Sequence, residues 1–214
     1  MLVTDEIRWF FPGSIPPKVL DWFRDGAPIA TAAKRTDVYL PLPASLALSI
    51  KLREGRLEIK TRSGISRPVR YPNGTSGETA IWKKEASRAE LIGDIEQRLT
   101  DPSALSVVKQ RRIRKFLIHD GSPVEIAANE APRQGCFFEL TQLWLDDIPS
   151  WTIALEAFGA PAPLAQNLSA TAAFVFNRSP CPVALTADVS ASYPEWLARQ
   201  RRDGGAATAG SRRS

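Results

Sequence analysis

Histidine and cysteine are nearly missing from this chain of 214 residues: His119 stands alone, and Cys136 and Cys181 are its two thiols. A single imidazole leaves little room for histidine-dependent hydrolysis or histidine-ligated zinc. It lies in His119-Asp120-Gly121, which reads as a turn that keeps it in solvent. Two distant cysteines without a CxxC pair offer neither a disulfide framework nor a zinc cluster, and they read as buried free thiols. Also missing are the G-x-x-x-x-G-K-[ST] and G-x-G-x-x-G loops that cradle phosphates at a helix N-terminus. No run of about 18 apolar residues occurs. The opening Met1-Leu2-Val3-Thr4-Asp5-Glu6 has neither the basic start nor the apolar stretch of a secretion signal. A cytoplasmic location with no membrane partner is therefore expected, and no internal repeat at periods of 20 to 50 residues is visible.

What is present suffices for one core: 43% of residues are apolar and 8% aromatic. The calculated pI near 9.5 suggests nucleic acid, but the charge is unevenly spread. Arg199, Arg201, Arg202, Arg212 and Arg213 against Asp203 carry +4 of the formal +5. Residues 1–198 are thus an almost neutral folded body, and residues 199–214, rich in Gly, Ala, Ser and Arg, are expected to be a disordered basic tail. Nucleic-acid contact is expected to be no more than weak and non-specific, through that tail. The oligomeric state is left open.

Periodicity and turn signals order the elements. Residues 5–11 read as a first strand, and Ser14 caps a helix with Pro16 and Pro17 in its opening turn and Val19, Trp22 and Phe23 on one face. A second strand spans 35–43, with Asp37 and Tyr39 in phase. The hairpin 49–62 turns at Glu54-Gly55, and a Gly/Pro/Asn-rich loop covers 63–77. A fifth strand runs over 78–85, and Leu91, Ile92, Ile95 and Leu99 set an amphipathic helix over 87–99. Another strand spans 105–118, followed by a loose segment over 120–134. Strands at 136–145 and 151–158 flank a turn at 146–150, with Trp144 and Trp151 expected in the core. A helix over 163–176 and a short strand over 183–189 come next, and Ser192-Tyr193-Pro194-Glu195 has the capping-box spacing of a final helix. Eight or so strands without βαβ alternation predict an α+β fold, an antiparallel sheet or barrel with a few helices.

The strands share one pattern. Charged residues fall two apart, on one face, in strand after strand: Glu6 and Arg8, Lys51 and Arg53, Glu58 and Lys60, Lys109 and Arg111, then Glu139 and Glu156. Between them sit Ile7, Trp9, Leu52, Leu57, Ile59, Phe138, Leu140, Ile153 and Leu155. Alternation allows two arrangements. Either the ionic stripes are the wet face of an ordinary sheet, or they line the inside of a barrel whose apolar outer face lies beneath the helices.

The order Glu6-x-Arg8, Asp37-x-Tyr39, Lys51-Leu-Arg53, Glu58-Ile-Lys60, Lys109-Gln-Arg111, Phe138-Glu139-Leu140, Leu155-Glu156 and Ser192-Tyr193 resembles the triphosphate tunnel metalloenzyme (CYTH) family. The resemblance spans residues 5–197 and implies an eight-stranded antiparallel tunnel with a polar interior and helices packed outside. It implies that Arg8, Lys51, Arg53, Lys60, Lys109 and Arg111 bind the substrate's phosphates, and that Glu6, Glu58, Glu139 and Glu156 hold Mg²⁺ or Mn²⁺, with Glu6 and Glu156 catalytic. Chemically this is coherent, because a triphosphate carries about four negative charges and a divalent ion needs oxygen ligands beside it.

Three departures stand out. The family's Glu-x-Glu-x-Lys is Glu6, Arg8 and Phe10 here, its later Glu-x-Glu is Ala154-x-Glu156, and its middle Arg-x-Glu-x-Glu is matched only by Lys83 and Glu85. Fewer carboxylates and more cations predict a stronger grip on phosphate and weaker metal binding. The expected function is metal-dependent hydrolysis of inorganic triphosphate or of a triphosphorylated small molecule. The alternatives are a polyphosphate- or nucleotide-binding protein of the same fold without turnover, and an RNA-associated protein using the basic tail. Adenylate cyclase activity is a smaller possibility, since no segment reads as an adenine pocket.

Overall fold

The computed structural model describes residues 2–25, 29, 31–40, 42, 45–87, 99 and 103–210. Among these residues ten strands form one antiparallel sheet: β1 (Leu2–Pro12), β2 (Arg35–Leu40), β3 (Leu48–Arg53), β4 (Arg56–Arg62), β5 (Arg67–Arg70), β6 (Ser76–Ser87), β7 (Leu105–His119), β8 (Ser122–Ile126), β9 (Gly135–Leu145) and β10 (Ile148–Phe158). Eight of them close a barrel in the order β1-β10-β9-β7-β2-β3-β4-β6, and β6 pairs back onto β1. The two longest strands each serve two partners along one edge. β6 pairs with β4 and then β5, while β7 pairs with β2 and then β8.

Tight turns set the hairpin registers. Glu54-Gly55, Asp120-Gly121 and Asp146-Asp147 each place two successive residues at positive φ, the backbone that two-residue hairpins require. Asp120-Gly121 turns β7 directly into β8, so part of the segment expected to be loose is a strand. β5 likewise falls within the expected 63–77 loop.

The odd-numbered residues of β1, among them Ile7 and Trp9, point outward with Phe138, Leu140, Ile153 and Leu155, all with no measurable exposure. They pack beneath α1 (Pro17–Arg24) through Val19 and Phe23, and beneath α2 (Leu164–Arg178) through Leu164, Leu168, Ala172 and Phe176. Phe176 meets Trp9 edge to face at 6.0 Å. A second outer cluster joins Leu40, Ile50, Leu57 and Leu99, with Leu52 and Ile59 beside it. The apolar stripes therefore lie outside and the charged stripes inside.

The last helix, α3 (Tyr193–Gly210), opens with the expected box: Glu195 N–H donates to Ser192 Oγ and Ser192 N–H to Glu195 Oε2. It continues past residue 199 into the segment expected as tail, and residues 211–214 lie outside the described ones. None of the described helices is long and apolar enough to cross a membrane.

Three expectations, on the start of α1, on residues 183–189 and on Trp144, differ from the structure. α1 begins at Pro17 with Pro16 as its N-cap rather than Ser14, because the Pro16 carbonyl accepts the first helical N–H groups of Val19 and Leu20 while Ile15 N–H is drawn to Gln142 Oε1. Residues 183–189 form no strand. Every barrel strand already has two neighbours, so the segment crosses outside and ends in a single 3₁₀ turn at Ala187–Val189. The helix expected over 87–99 lies almost wholly outside the described residues; Ser87 ends β6 and Leu99 is helical. Trp151 is buried as expected, whereas Trp144 is half-buried with the Lys34 ammonium 4.3 Å from its ring centre.

Candidate functional site: a charged lumen

Closure brings the ionic stripes onto one cavity of about 310 Å³ inside the barrel. All ten residues singled out from the sequence line it: Glu6, Arg8, Lys51, Arg53, Glu58, Lys60, Lys109, Arg111, Glu139 and Glu156. Arg35 and Lys84 join them, making eight cationic side chains and four carboxylates on the wall.

Asp37 organises one side. Its side chain is fully buried, with Lys51 and Lys109 both 3.2 Å from Oδ2 and Arg53 and Arg35 at 3.1 and 3.2 Å from Oδ1. Burial alone would raise its pKa, but the charges of Lys109, Lys51 and Arg53 outweigh that and hold the carboxyl far below its ordinary value. Its partners respond unequally. Burial, partly offset by Asp37, pushes Lys51 down to about 8. Burial and the nearby Lys51 push Lys109 well below the ordinary lysine value. Lys109 Nζ donates to Tyr39 Oη at 2.5 Å and sits 3.7 Å from the centre of the Tyr193 ring.

The carboxylates differ in what they have left to offer. Glu139 accepts from Arg8 at 2.9 Å and Thr141 at 2.8 Å through Oε1, and from Arg111 through Oε2. Burial opposes ionisation there, but Arg111 and Arg8 hold its pKa well below the usual range. Glu58 pairs with Lys51, Lys84 and Arg53, and despite its burial these cations bring it down to about 2. Both are taken up by fixed cations. Glu6 and Glu156 face each other in register on β1 and β10 and share one ammonium, with Lys60 Nζ 3.5 Å from Glu6 Oε2 and 3.1 Å from Glu156 Oε1.

A divalent cation in this lumen would have to find its protein ligands among these four groups. Among the described residues no three His, Cys, Asp or Glu side chains gather as a metal-holding group. Glu6 and Glu156 already accept a single cation jointly, which fits Mg²⁺ or Mn²⁺ bound by two carboxylates with its remaining oxygens drawn from water and phosphate. Glu58 and Glu139 fit better as anchors that aim Lys51, Arg53, Lys84, Arg8 and Arg111.

Toward one end of the lumen, Phe10, Tyr39, Val107 and Leu143 pack on Trp196 and Leu197 of α3. Phe10, where the resembled family has its lysine, stacks on Trp196 at 5.0 Å. Arg62 Nη1 reaches Glu195 Oε1 at 3.1 Å and ties the start of α3 to β4.

Reasoning from sequence gave no role to Asp37, Tyr39, Arg35, Lys84 or Tyr193. The first three were signalled by Arg35-x-Asp37-x-Tyr39, which has the same two-residue phase as the other strands. On β6 the expected match was one residue out of step: Trp82 and Lys84 line the lumen, and Lys83 and Glu85 are exposed. His119 is exposed beside Asp120, Cys136 is buried, and Cys181 is half-buried, both thiols free.

Fold and lumen together define a closed antiparallel barrel with a cation-rich interior, which fits the fold that the tunnel-family resemblance implied. No family model matches the chain, and no curated protein matches it. Among solved structures it is similar to the PH1819 protein of Pyrococcus horikoshii OT3, at 12% identity over 91% of this chain and 99% of that one, with a TM-score of 0.44. A conserved hypothetical protein of Pyrococcus furiosus matches at 12% identity over 89% and 98%, TM-score 0.42. A provisionally named adenylate cyclase of Bacillus halodurans matches at 12% over 86% and 95%, TM-score 0.38. Likenesses this loose carry no function across.

Proposed function

We propose that the lumen holds a triphosphate, inorganic or borne by a small molecule, and hydrolyses it by attack of water. The observation that carries this reading is the convergence of eight cationic side chains on one cavity of about 310 Å³, against five carboxylates once Asp37 behind the wall is counted. A site so cationic calls for a polyanion. Cations two apart on a strand repeat at about 6.7 Å and address neighbouring phosphoryl groups. The Nε–H groups of Arg8 and Arg111 are buried without a hydrogen-bond partner, and phosphate oxygens would satisfy them.

Mg²⁺ or Mn²⁺ bound at Glu6 and Glu156 would neutralise phosphate charge and polarise the phosphoryl group under attack. The protein's own part is positioning and proton transfer. Arg8, Arg111, Lys51 and Lys60 hold the chain, while Lys109, shifted toward its unprotonated form by burial and by Lys51, accepts the proton of the attacking water. The water oxygen bonds to the terminal phosphorus, the anhydride P–O bond breaks, and pyrophosphate or a diphosphate ester leaves.

Binding without turnover is the second reading, favoured by the complete engagement of Glu58 and Glu139 with fixed cations. Calorimetry with tripolyphosphate and phosphate release with added Mg²⁺ or Mn²⁺ separate the two. Hydrolysis predicts metal-dependent release that falls about a hundredfold or more in Lys109→Met and in Glu156→Gln, while both variants still bind. Tight binding with no release under either metal leaves only the second reading, and absence of binding removes both.

A further inference from the structure

A second cavity, of about 520 Å³, lies where the lumen meets the rim of β2 and β3. Its walls are aliphatic: Leu40, Leu48 and Ile50 from the outward faces of β2 and β3, Leu42 and Leu46 from the segment between them, and Leu197 from α3. Tyr39, Ser49 and Pro194 line both this cavity and the charged lumen. The register explains the junction. Tyr39 faces Lys51 across β2 and β3 on the lumen side, and the next pair, Leu40 and Ile50, faces outward. One step along the rim thus leads from ammonium groups to leucines.

On the triphosphate reading above, we propose that this chamber receives an aliphatic group esterified to the polyphosphate, so that the preferred ligand is an alkyl or isoprenyl polyphosphate rather than a nucleotide or inorganic triphosphate. The chamber exceeds the lumen cavity in volume, and the shared residues Tyr39, Ser49 and Pro194 place it where the tail of a phosphate chain gripped at Lys51 would pass over the rim. A nucleobase carries donors and acceptors around its edge that need partners. Among the described residues the polar groups on this wall are few: Ser49, the Tyr39 hydroxyl already engaged with Lys109, and the exposed Arg201. A hydrocarbon chain requires no such partners and gains from leaving water.

Calorimetry on the full chain with methyl triphosphate, octyl triphosphate, ATP and tripolyphosphate tests this. The methyl and octyl esters carry the same charge and differ only in carbon. Each buried methylene is worth about fourfold in affinity, so octyl triphosphate is expected to bind at least about fiftyfold more tightly than the methyl ester and to outbind ATP. Leu46→Gln and Ala198→Trp, which make the chamber polar or fill it, are expected to erase the octyl gain while tripolyphosphate binds as before. An octyl ester within threefold of the methyl ester overturns the proposal and leaves the triphosphate reading standing, as does an octyl gain that survives both substitutions. Failure of methyl triphosphate and tripolyphosphate to bind at all overturns the triphosphate reading and this one with it.

Discussion

Replacing Asp37 with Asn removes one negative charge and almost no volume from the place where Lys51, Lys109, Arg53 and Arg35 meet within 3.2 Å of a fully buried carboxylate. Breaking a buried ion pair by deleting one partner costs about 3–5 kcal/mol, because the other charge stays buried and uncompensated. Four cations share this anchor, although two are lysines that can lose a proton, so the lower end is expected. About 3 kcal/mol in a domain of this size lowers Tm by about 6–12 °C. The sign with pH follows from the depressed carboxyl. Its contribution is complete above the ordinary 3.8 and is lost as the pH falls toward the folded-state value. The gap between parent and variant should therefore narrow in acid. Tripolyphosphate supplies the missing negative charge, and at a hundredfold excess over Kd it restores about 2.7 kcal/mol. Thermal unfolding with and without tripolyphosphate, at pH 7 and near pH 3, reads all three effects. A Tm drop below about 2 °C at pH 7 without ligand would refute the assignment of Asp37 as the anchor of this wall.

Two further perturbations test other parts of the structure. Because burial lowers Lys51 to about 8 from an ordinary 10.5, the unfolded chain binds more protons between those values, so this lysine makes the ligand-free protein more stable as pH rises through that window. Affinity for tripolyphosphate should fall over the same window as the ammonium is lost, and titrations at pH 7 and pH 10 giving equal affinity would contradict this. Gly135 opens β9 so close to β7 that an added Cβ would lie 2.2 Å from the Phe116 carbonyl oxygen. Gly135→Ala is therefore expected to cost about 2 kcal/mol or more in chemical denaturation, since backbone must move to relieve the contact.

Much of the barrel is legible in the chain because alternation is a local property. Ile7 and Trp9 between Glu6 and Arg8, and Leu57 and Ile59 beside Glu58 and Lys60, assign each side chain to a face without reference to any other strand. The hairpin at Glu54-Gly55 and the capping box at Ser192 and Glu195 are equally local, and both form as expected. Asp120-Gly121 carries the same turn signal, so the start of β8 is equally local. Residues 183–189 look extended in isolation but add no strand to the sheet, because the barrel strands they cross already have two neighbours each, and that depends on where the other strands have gone.

The charged site divides in the same way. That Lys51, Lys60, Lys109, Glu139 and Glu156 share one face of their strands follows from phase, the family resemblance made them candidates, and all of them line one cavity. Which carboxylate remains free for a cation was not legible: Glu139 is claimed by Arg8 from 131 positions away, and Glu156 by Lys60 from 96. Strand periodicity decides which way a side chain points, since it depends only on the pleat. Which charge it meets depends on closure of β6 onto β1, and that pairing joins residues about 75 positions apart. The sequence by itself thus determined two faces, one ionic and one apolar. Only the tertiary structure decided that the ionic face encloses a cavity, that Asp37 and the start of α3 complete its wall, and that an aliphatic chamber opens beside it.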